Sequence, residues 1–244
     1  MNELILQSDD DYQELIGILS ESIIELKNKE EIFLKGKNAF LNMLEDVNEA
    51  FQELESLFLG LVRSMVSALD AKSPWTKGHS ERVALYAKKI AETMELDGDE
   101  IKNLQLAVLL HDIGKIGTYD YLLDKPERLT NDEYEIVKKH PAQGAKILES
   151  IKQLQDVIPF VKYHHERFDG KGYPEGLMGN EIPFGARILH VADSFDSMSK
   201  DRPYRPAPGV DYAISEFKKY SGTQFDSEVV KALFSVLEKD GDEL

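Results

Sequence analysis

Between residues 12 and 65 the apolar side chains step along the chain in alternating fours and threes, and this pattern restricts what the N-terminal part can fold into. The series runs Tyr12, Ile16, Leu19, Ile23, Leu26, then Phe33, Phe40, Leu44, Val47, Phe51, Leu54, Phe58, Leu61 and Met65, with Glu30 and Lys37 as polar members of the same seam. A 3.5-residue repeat sustained this far is the mark of a coiled coil. No proline interrupts it, and only Gly17, Gly36 and Gly60 dilute its helical composition. One helix over residues 12–68 would be about 85 Å long at 1.5 Å per residue. The rival is a helical hairpin that turns at LKGKNAF, with Gly36 as C-cap and Asn38 as N-cap. The register survives the glycine, so one helix paired in parallel with a second copy is favoured. On either arrangement residues 1–69 form an arm for dimerisation or signal coupling, not an independent globular domain.

Charge separates the same two regions. The chain has 244 residues and a formal net charge of −16, which argues against general nucleic-acid binding. The arm holds fourteen Asp/Glu against five Lys/Arg, so nine of those sixteen negative charges lie before residue 70 and a local basic pocket remains open after it. The acidic face of the arm reads as a solvated helix surface. An apolar content of 42% and a charged content of 30% fit a soluble globular protein with room for a real core. There is no cysteine, which excludes disulfides, zinc–thiolate sites and thiol catalysis and suits a reducing compartment. The N-terminus MNELILQSDDD lacks the basic and apolar regions of a signal peptide, and no apolar run approaches 18 residues. A cytoplasmic location without a membrane span is the expectation.

Residues 70–244 read as almost entirely helical. SERVALYAKKIAETM, DEIKNLQLAVLLHDIGKI, TNDEYEIVKKH, PAQGAKILESI, IPFVKYHHERF and FGARILHVADSFDSMSK each have helical periodicity, and no alternating strand pattern competes. Thr130 or Asn131 is a plausible cap, and Pro141 suits a first helical turn. DGKGYPEGLMGNEIP is the one long Gly/Pro-rich loop.

All six histidines fall in this region: His79, His111, His140, His164, His165 and His190. Any one of them alone is most simply a hydrogen-bonded histidine. Five sit at expected helix ends or beside other candidate ligands, and Asp112 and Asp193 join them. Imidazole and carboxylate without thiolate favour iron, manganese or nickel-like sites over structural zinc. Several histidines around a bridging aspartate are what a two-metal hydrolase needs, since a hydroxide held between two ions can attack phosphorus at neutral pH.

The stretches WTKGHSERVALYA, LLHDIGKIG, HPAQGAKIL, YHHERFDGKGYPEGLMGNEIP, ARILHVADSFDSMSKDRPYR and GTQFD, in that order, make residues 70–235 resemble the HD-GYP family of the HD phosphohydrolase superfamily. Gly172, Tyr173 and Pro174 are the GYP itself. The resemblance implies an all-α HD-domain bundle behind the helical arm. It implies two divalent ions, iron or manganese. Asp112 would bridge them, with His79, His111 and Asp193 on one ion and His140, His164 and His165 on the other. Lys115, three residues after Asp112 on the same helix face, would contact the scissile phosphate and stabilise transition-state charge. Arg202 and Arg205 would hold substrate phosphates through bidentate contacts, and Tyr173 would lie beside the substrate. The substrate implied is cyclic di-GMP, opened to pGpG and in some cases on to GMP by metal-hydroxide attack in line with the 3′ oxygen.

Members with a third metal carry an extra carboxylate just before the first histidine. Here no acid lies between Asp70 and His79, so two ions are expected. His190 stands where a small residue is more usual and reads as structural. Glu166, Asp169 and Asp196 read as groups that orient ligands or brace the loop. Arg187 reads as an internal ion-pair partner and Asp226 as the cap of the last helix. Two other classes stay open: a hydrolase of another cyclic dinucleotide or phosphoester, and a regulatory adaptor whose arm relays an upstream sensor's input and whose GYP loop binds partner proteins.

Overall fold

The computed structural model describes residues 9–70, 78–117, 122, 125, 127–200 and 209–240. Arg202 and Arg205 lie outside them. The chain divides into two compact units, Met1–Gly60 and Leu61–Leu244.

Helix α1, Asp9–Asp70, is continuous through Gly36. The hairpin alternative is therefore not adopted: Gly36 stays helical and no Cα-centred crowding surrounds it. Three aspartates, Asp9, Asp10 and Asp11, lie in the first turn, where they complement the positive end of the helix dipole. Lys29–Glu25 and Lys35–Glu31 add i,i+4 pairs at 2.6 Å. In the first unit the seam residues from Tyr12 to Leu54 are 45–70% exposed, an unpaired apolar stripe of the length the repeat implies.

The second unit is an all-helical bundle; among the described residues there is no β-strand, only isolated bridges. After α1 come α2 (His79–Thr93), α3 (Gly98–Leu110), a 3₁₀ turn (Ile113–Gly117), α4 (Asn131–Val137), α5 (His140–Leu148), α6 (Ile158–Tyr163), α7 (Phe184–Ser199), α8 (Val210–Tyr220) and α9 (Ser227–Asp240). Helix α2 buries Val83, Tyr86, Ala87, Ile90 and Ala91, spaced by threes and fours, so one face meets α3, α7 and α9. Tyr86 meets Phe195 of α7 edge-on at 5.0 Å. Helices α3 and α4 begin in capping boxes, Asp97 with Glu100 and Thr130 with Glu133. The cap of α4 is thus Thr130, not Asn131.

One expected helix is shorter than its sequence suggests. The periodicity extends through Ile116, but α3 ends at Leu110 and the chain continues as a 3₁₀ turn. The reason is packing against α5. A Cβ on Gly114 would lie 2.0 Å from the His140 carbonyl oxygen and 2.5 Å from the Gly144 nitrogen, so the two backbones touch there. That contact carries His111 and Asp112 on a turn rather than within an α-helix.

Candidate metal centre

The site is assembled from helix ends. His79 opens α2, His111 follows the last residue of α3, His140 opens α5, His164 follows the last residue of α6, and Asp193 lies within α7. Three of the histidines use one local device. His111 Nδ1 lies 2.6 Å from the Val108 carbonyl, His140 Nδ1 2.8 Å from that of Val137, and His164 Nδ1 2.7 Å from that of Val161. A carbonyl only accepts, so each Nδ1 donates. The ring thereby satisfies a carbonyl that a helix end leaves open, and its Nε2 keeps a lone pair for the site. The sequence signal was available: Val-x-x-His occurs at all three places.

His79 is fixed differently. Its Nδ1 donates to Asp196 Oδ2 at 2.7 Å, and Arg82 holds the same carboxylate through Nε at 2.6 Å and Nη2 at 3.0 Å. Its Nε2 lies 3.2 Å from Asp193 Oδ1. Asp196 thus orients a candidate ligand, as its residue type and place suggested, while Arg82 was not singled out from the sequence. Burial works against a charge on His79, but Asp193 and Asp196 outweigh it and push its pKa up to about 9.

Ligand atoms gather in three overlapping groups, each within 4.8 Å: His79, His111 and Asp193; His140, His164 and His165; and His111, Asp112 and His164. Asp112 stands between the first two. Its Oδ2 is 3.5 Å from His111 Nε2 and its Oδ1 is 3.5 Å from His140 Nε2, so each oxygen faces a different group. Lys115 Nζ closes that side at 2.6 Å from Asp112 Oδ2. Burial opposes ionisation of Asp112, yet His111, Lys115, His140 and His79 hold its carboxyl well below the usual range. Burial pushes His140 down to about 4 and His164 and His165 well below the ordinary imidazole value. Neutral imidazoles and ionised carboxylates are the forms that bind metal, so His140, His164 and His165 are ready for an ion while His79 has to give up its proton to one.

The donors fit divalent ions on a direct geometric ground. His140 Nε2 and His164 Nε2 are 3.3 Å apart. With both Nδ1 atoms donating to carbonyls, two lone pairs face each other with no proton between them, an arrangement that a cation relieves.

The Gly/Pro-rich loop lies beside this centre. Glu166 Oε1 accepts the backbone N–H of Glu175 at 2.7 Å and of Gly176 at 2.9 Å. A Cβ on Gly172 would lie 2.3 Å from the Arg167 nitrogen, so the fold of the loop leaves room only for glycine. Asp169 holds Arg167 through two contacts at 3.0 and 2.8 Å. The bracing expected of Glu166 and Asp169 is present. The loop brings the Tyr173 ring 4.9 Å from that of His165. His190 is buried, with Nδ1 donating to the His164 carbonyl at 2.9 Å. Arg187 pairs with Asp226 at 2.6 Å, and Asp226 accepts the Glu228 N–H at the start of α9. A cavity of about 520 Å³ opens from His165, Tyr173 and Asp193, with Tyr134 and Lys138 of the α4 end on its wall, neither marked by the sequence reading.

Residues 38–229 match a protein-family model described as HD domain. A 3′3′-cGAMP-specific phosphodiesterase 3 of Vibrio cholerae is 41% identical over 72% of this chain and 38% of its own length. A cyclic di-GMP phosphodiesterase of Thermotoga maritima is 38% identical over 85% of this chain and 57% of its own. The chain thus spans about two fifths to three fifths of these relatives. Among solved structures, a Vibrio cholerae cyclic GMP-AMP phosphodiesterase superposes with a TM-score of 0.59 at 22% identity, covering 73% of this chain and 48% of that one. The HDG"Y"P protein Bd1817 of Bdellovibrio bacteriovorus gives 0.56 at 22%, covering 66% and 51%. At that identity the likeness is one of fold.

Proposed function

Because the chain belongs to the HD domain family, we propose that it is a metal-dependent phosphodiesterase that opens cyclic di-GMP to pGpG. The observation that carries this reading is the pair of ligand groups with Asp112 between them, one carboxylate oxygen toward each. His79, His111 and Asp193 would hold one ion, His140, His164 and His165 the other, and Asp112 both; iron or manganese suits this donor set. When bound, such a pair activates water toward phosphorus and neutralises phosphate charge.

The chain's own groups do the rest. Asp196, itself held by Arg82, keeps the His79 ring in one orientation. The three valine carbonyls do so for His111, His140 and His164. Lys115, part-buried beside Asp112, would place its ammonium where charge develops on the scissile phosphate. Tyr173 lies over His165 at the mouth of the cavity and would border the substrate. Arg202 and Arg205, outside the described residues, would hold the phosphates.

A second substrate, 3′3′-cGAMP, is supported by the 41% identical relative of that specificity. The arm supports a homodimer, since its 3.5-residue stripe is exposed and pairing two copies would bury it. An input from an upstream sensor would then reach the catalytic unit through the arm.

The test is hydrolysis of cyclic di-GMP and 3′3′-cGAMP side by side, with bound metal quantified, by the chain and by Asp112→Ala. Two ions per chain and turnover lost in the variant are expected. A full metal complement with neither dinucleotide cleaved would refute the substrate reading. No metal after anaerobic reconstitution with iron or manganese would refute the enzyme reading and leave the adaptor.

A further inference from the structure

The wall of the cavity carries a feature that the catalytic reading does not use. Helix α4 buries none of its residues, yet its Tyr134 is a large aromatic 48% exposed. Its ring meets Tyr173 edge-on at 6.5 Å. Lys138, one turn later, places Nζ 5.5 Å from the Tyr134 ring centre and 5.6 Å from that of Tyr173. Glu135 holds that ammonium at 2.6 Å.

The helix is pinned rather than loose. Its first turn is closed by the Thr130–Glu133 capping box, and Lys125 reaches Glu133 from outside at 2.7 Å. Tyr134 is therefore carried by an anchored helix, six residues before His140, in the lining of a cavity of about 520 Å³. That size lies within the roughly 300–1,000 Å³ usual for small-molecule sites. An exposed aromatic held rigidly beside a fixed cation is how proteins take a nucleobase and its phosphate together. The ring is half exposed and is not among the buried core side chains.

We propose that Tyr134 is the base-stacking face of the substrate site, and that Lys138 beside it takes a phosphate of the same nucleotide. This rests on the cyclic-dinucleotide reading above, and it assigns the purine to a helix outside the GYP loop. Tyr173 then borders both the metal side and the base side. Because every base has a π-face, the subsite gives affinity for dinucleotides over simple diesters without choosing between guanine and adenine.

The test uses the full chain. A fluorescently labelled cyclic di-GMP is titrated onto metal-free protein, which reads binding without turnover. With metal, hydrolysis of cyclic di-GMP is compared with that of bis(p-nitrophenyl) phosphate, which has no base. Tyr134→Leu should weaken binding about tenfold and raise KM with kcat changed far less, while Tyr134→Phe restores both. Its loss on the dinucleotide should exceed its loss on the simple diester. Lys138→Met should weaken binding and flatten its salt dependence. Binding by Tyr134→Leu equal to wild type, or equal losses on the two substrates, overturns the subsite while leaving the enzyme reading intact. Wild type that binds the dinucleotide, loses affinity in Tyr134→Leu and yet never cleaves it with a full metal complement overturns the reading of cyclic di-GMP as substrate and keeps the subsite. Wild type that neither binds it without metal nor cleaves it with metal overturns both.

Discussion

His140 and His164 face each other Nε2 to Nε2 at 3.3 Å, and each is locked into that posture by an Nδ1 bond to the carbonyl of a valine three residues earlier. The contact holds two lone pairs together, so the centre is preorganised for a cation at the expense of the metal-free protein.

Metal should therefore stabilise the fold as well as activate it. Manganese or anaerobic ferrous iron added to chelated protein should raise the melting temperature, by about 2.7 kcal/mol of stability at a hundredfold excess over Kd. Differential scanning calorimetry with and without chelator measures this. No rise with either metal would count against the site.

Acid should act on the metal-free protein through the same group. His140, down to about 4, and His164 and His165, held well below the ordinary imidazole value by burial, all have folded pKa values beneath 6.5. The unfolded chain then binds more protons between about pH 4 and 6.5, so stability falls as pH drops through that window. His79, raised to about 9, is charged in both states below 6.5 and adds no slope there; its contribution is lost as pH rises toward 9. Denaturant midpoints between pH 4 and 7 should show the decline, and His165→Gln should make it shallower.

Asp196→Asn should reduce metal affinity roughly 10–100-fold with the fold retained, because the carboxylate that accepts from His79 and pairs with Arg82 is gone. Titration with manganese followed by metal analysis distinguishes this from a variant that has simply unfolded. Unchanged affinity would mean that His79 needs no such anchor.

Gly114→Ala should be among the most damaging small substitutions. The new Cβ meets the His140 carbonyl oxygen at 2.0 Å, backbone against backbone, so the 3₁₀ turn and α5 must separate. A loss of about 1–3 kcal/mol or more is expected, with weakened metal binding, since Asp112 and His140 ride on the two segments. Chemical denaturation and metal titration of this variant provide the check.

The arm should govern assembly. Sedimentation of the full chain should show a dimer, and residues 70–244 alone a monomer, since the exposed seam from Tyr12 to Met65 lies in the arm. A tight dimer without the arm would place the interface elsewhere.

The sequence by itself determined the helical class, the arm and the chemistry on offer. A 3.5-residue stripe survives in one dimension because helix periodicity is local, and its passage through Gly36 followed from register alone. The candidate ligands were legible as a set through the family resemblance that six stretches in one order carry; HD or HH alone says little. What the sequence could not place was their meeting. His79 and Asp196, 117 residues apart, form one hydrogen bond only because α2 packs on α7. The end of α3 at Leu110 was hidden for the same reason: helical periodicity continues past it, and the clash that a side chain at Gly114 would make belongs to a neighbour 26 residues away. Tyr134 and Lys138 gave no signal because an aromatic and a lysine four apart are ordinary on a surface helix. They became a candidate subsite when the loop brought Tyr173 against them. Local periodicity and residue chemistry are written along the chain, whereas tautomers, the direction in which each Asp112 oxygen faces and the lining of the cavity depend on contacts that exist only after the helices have packed.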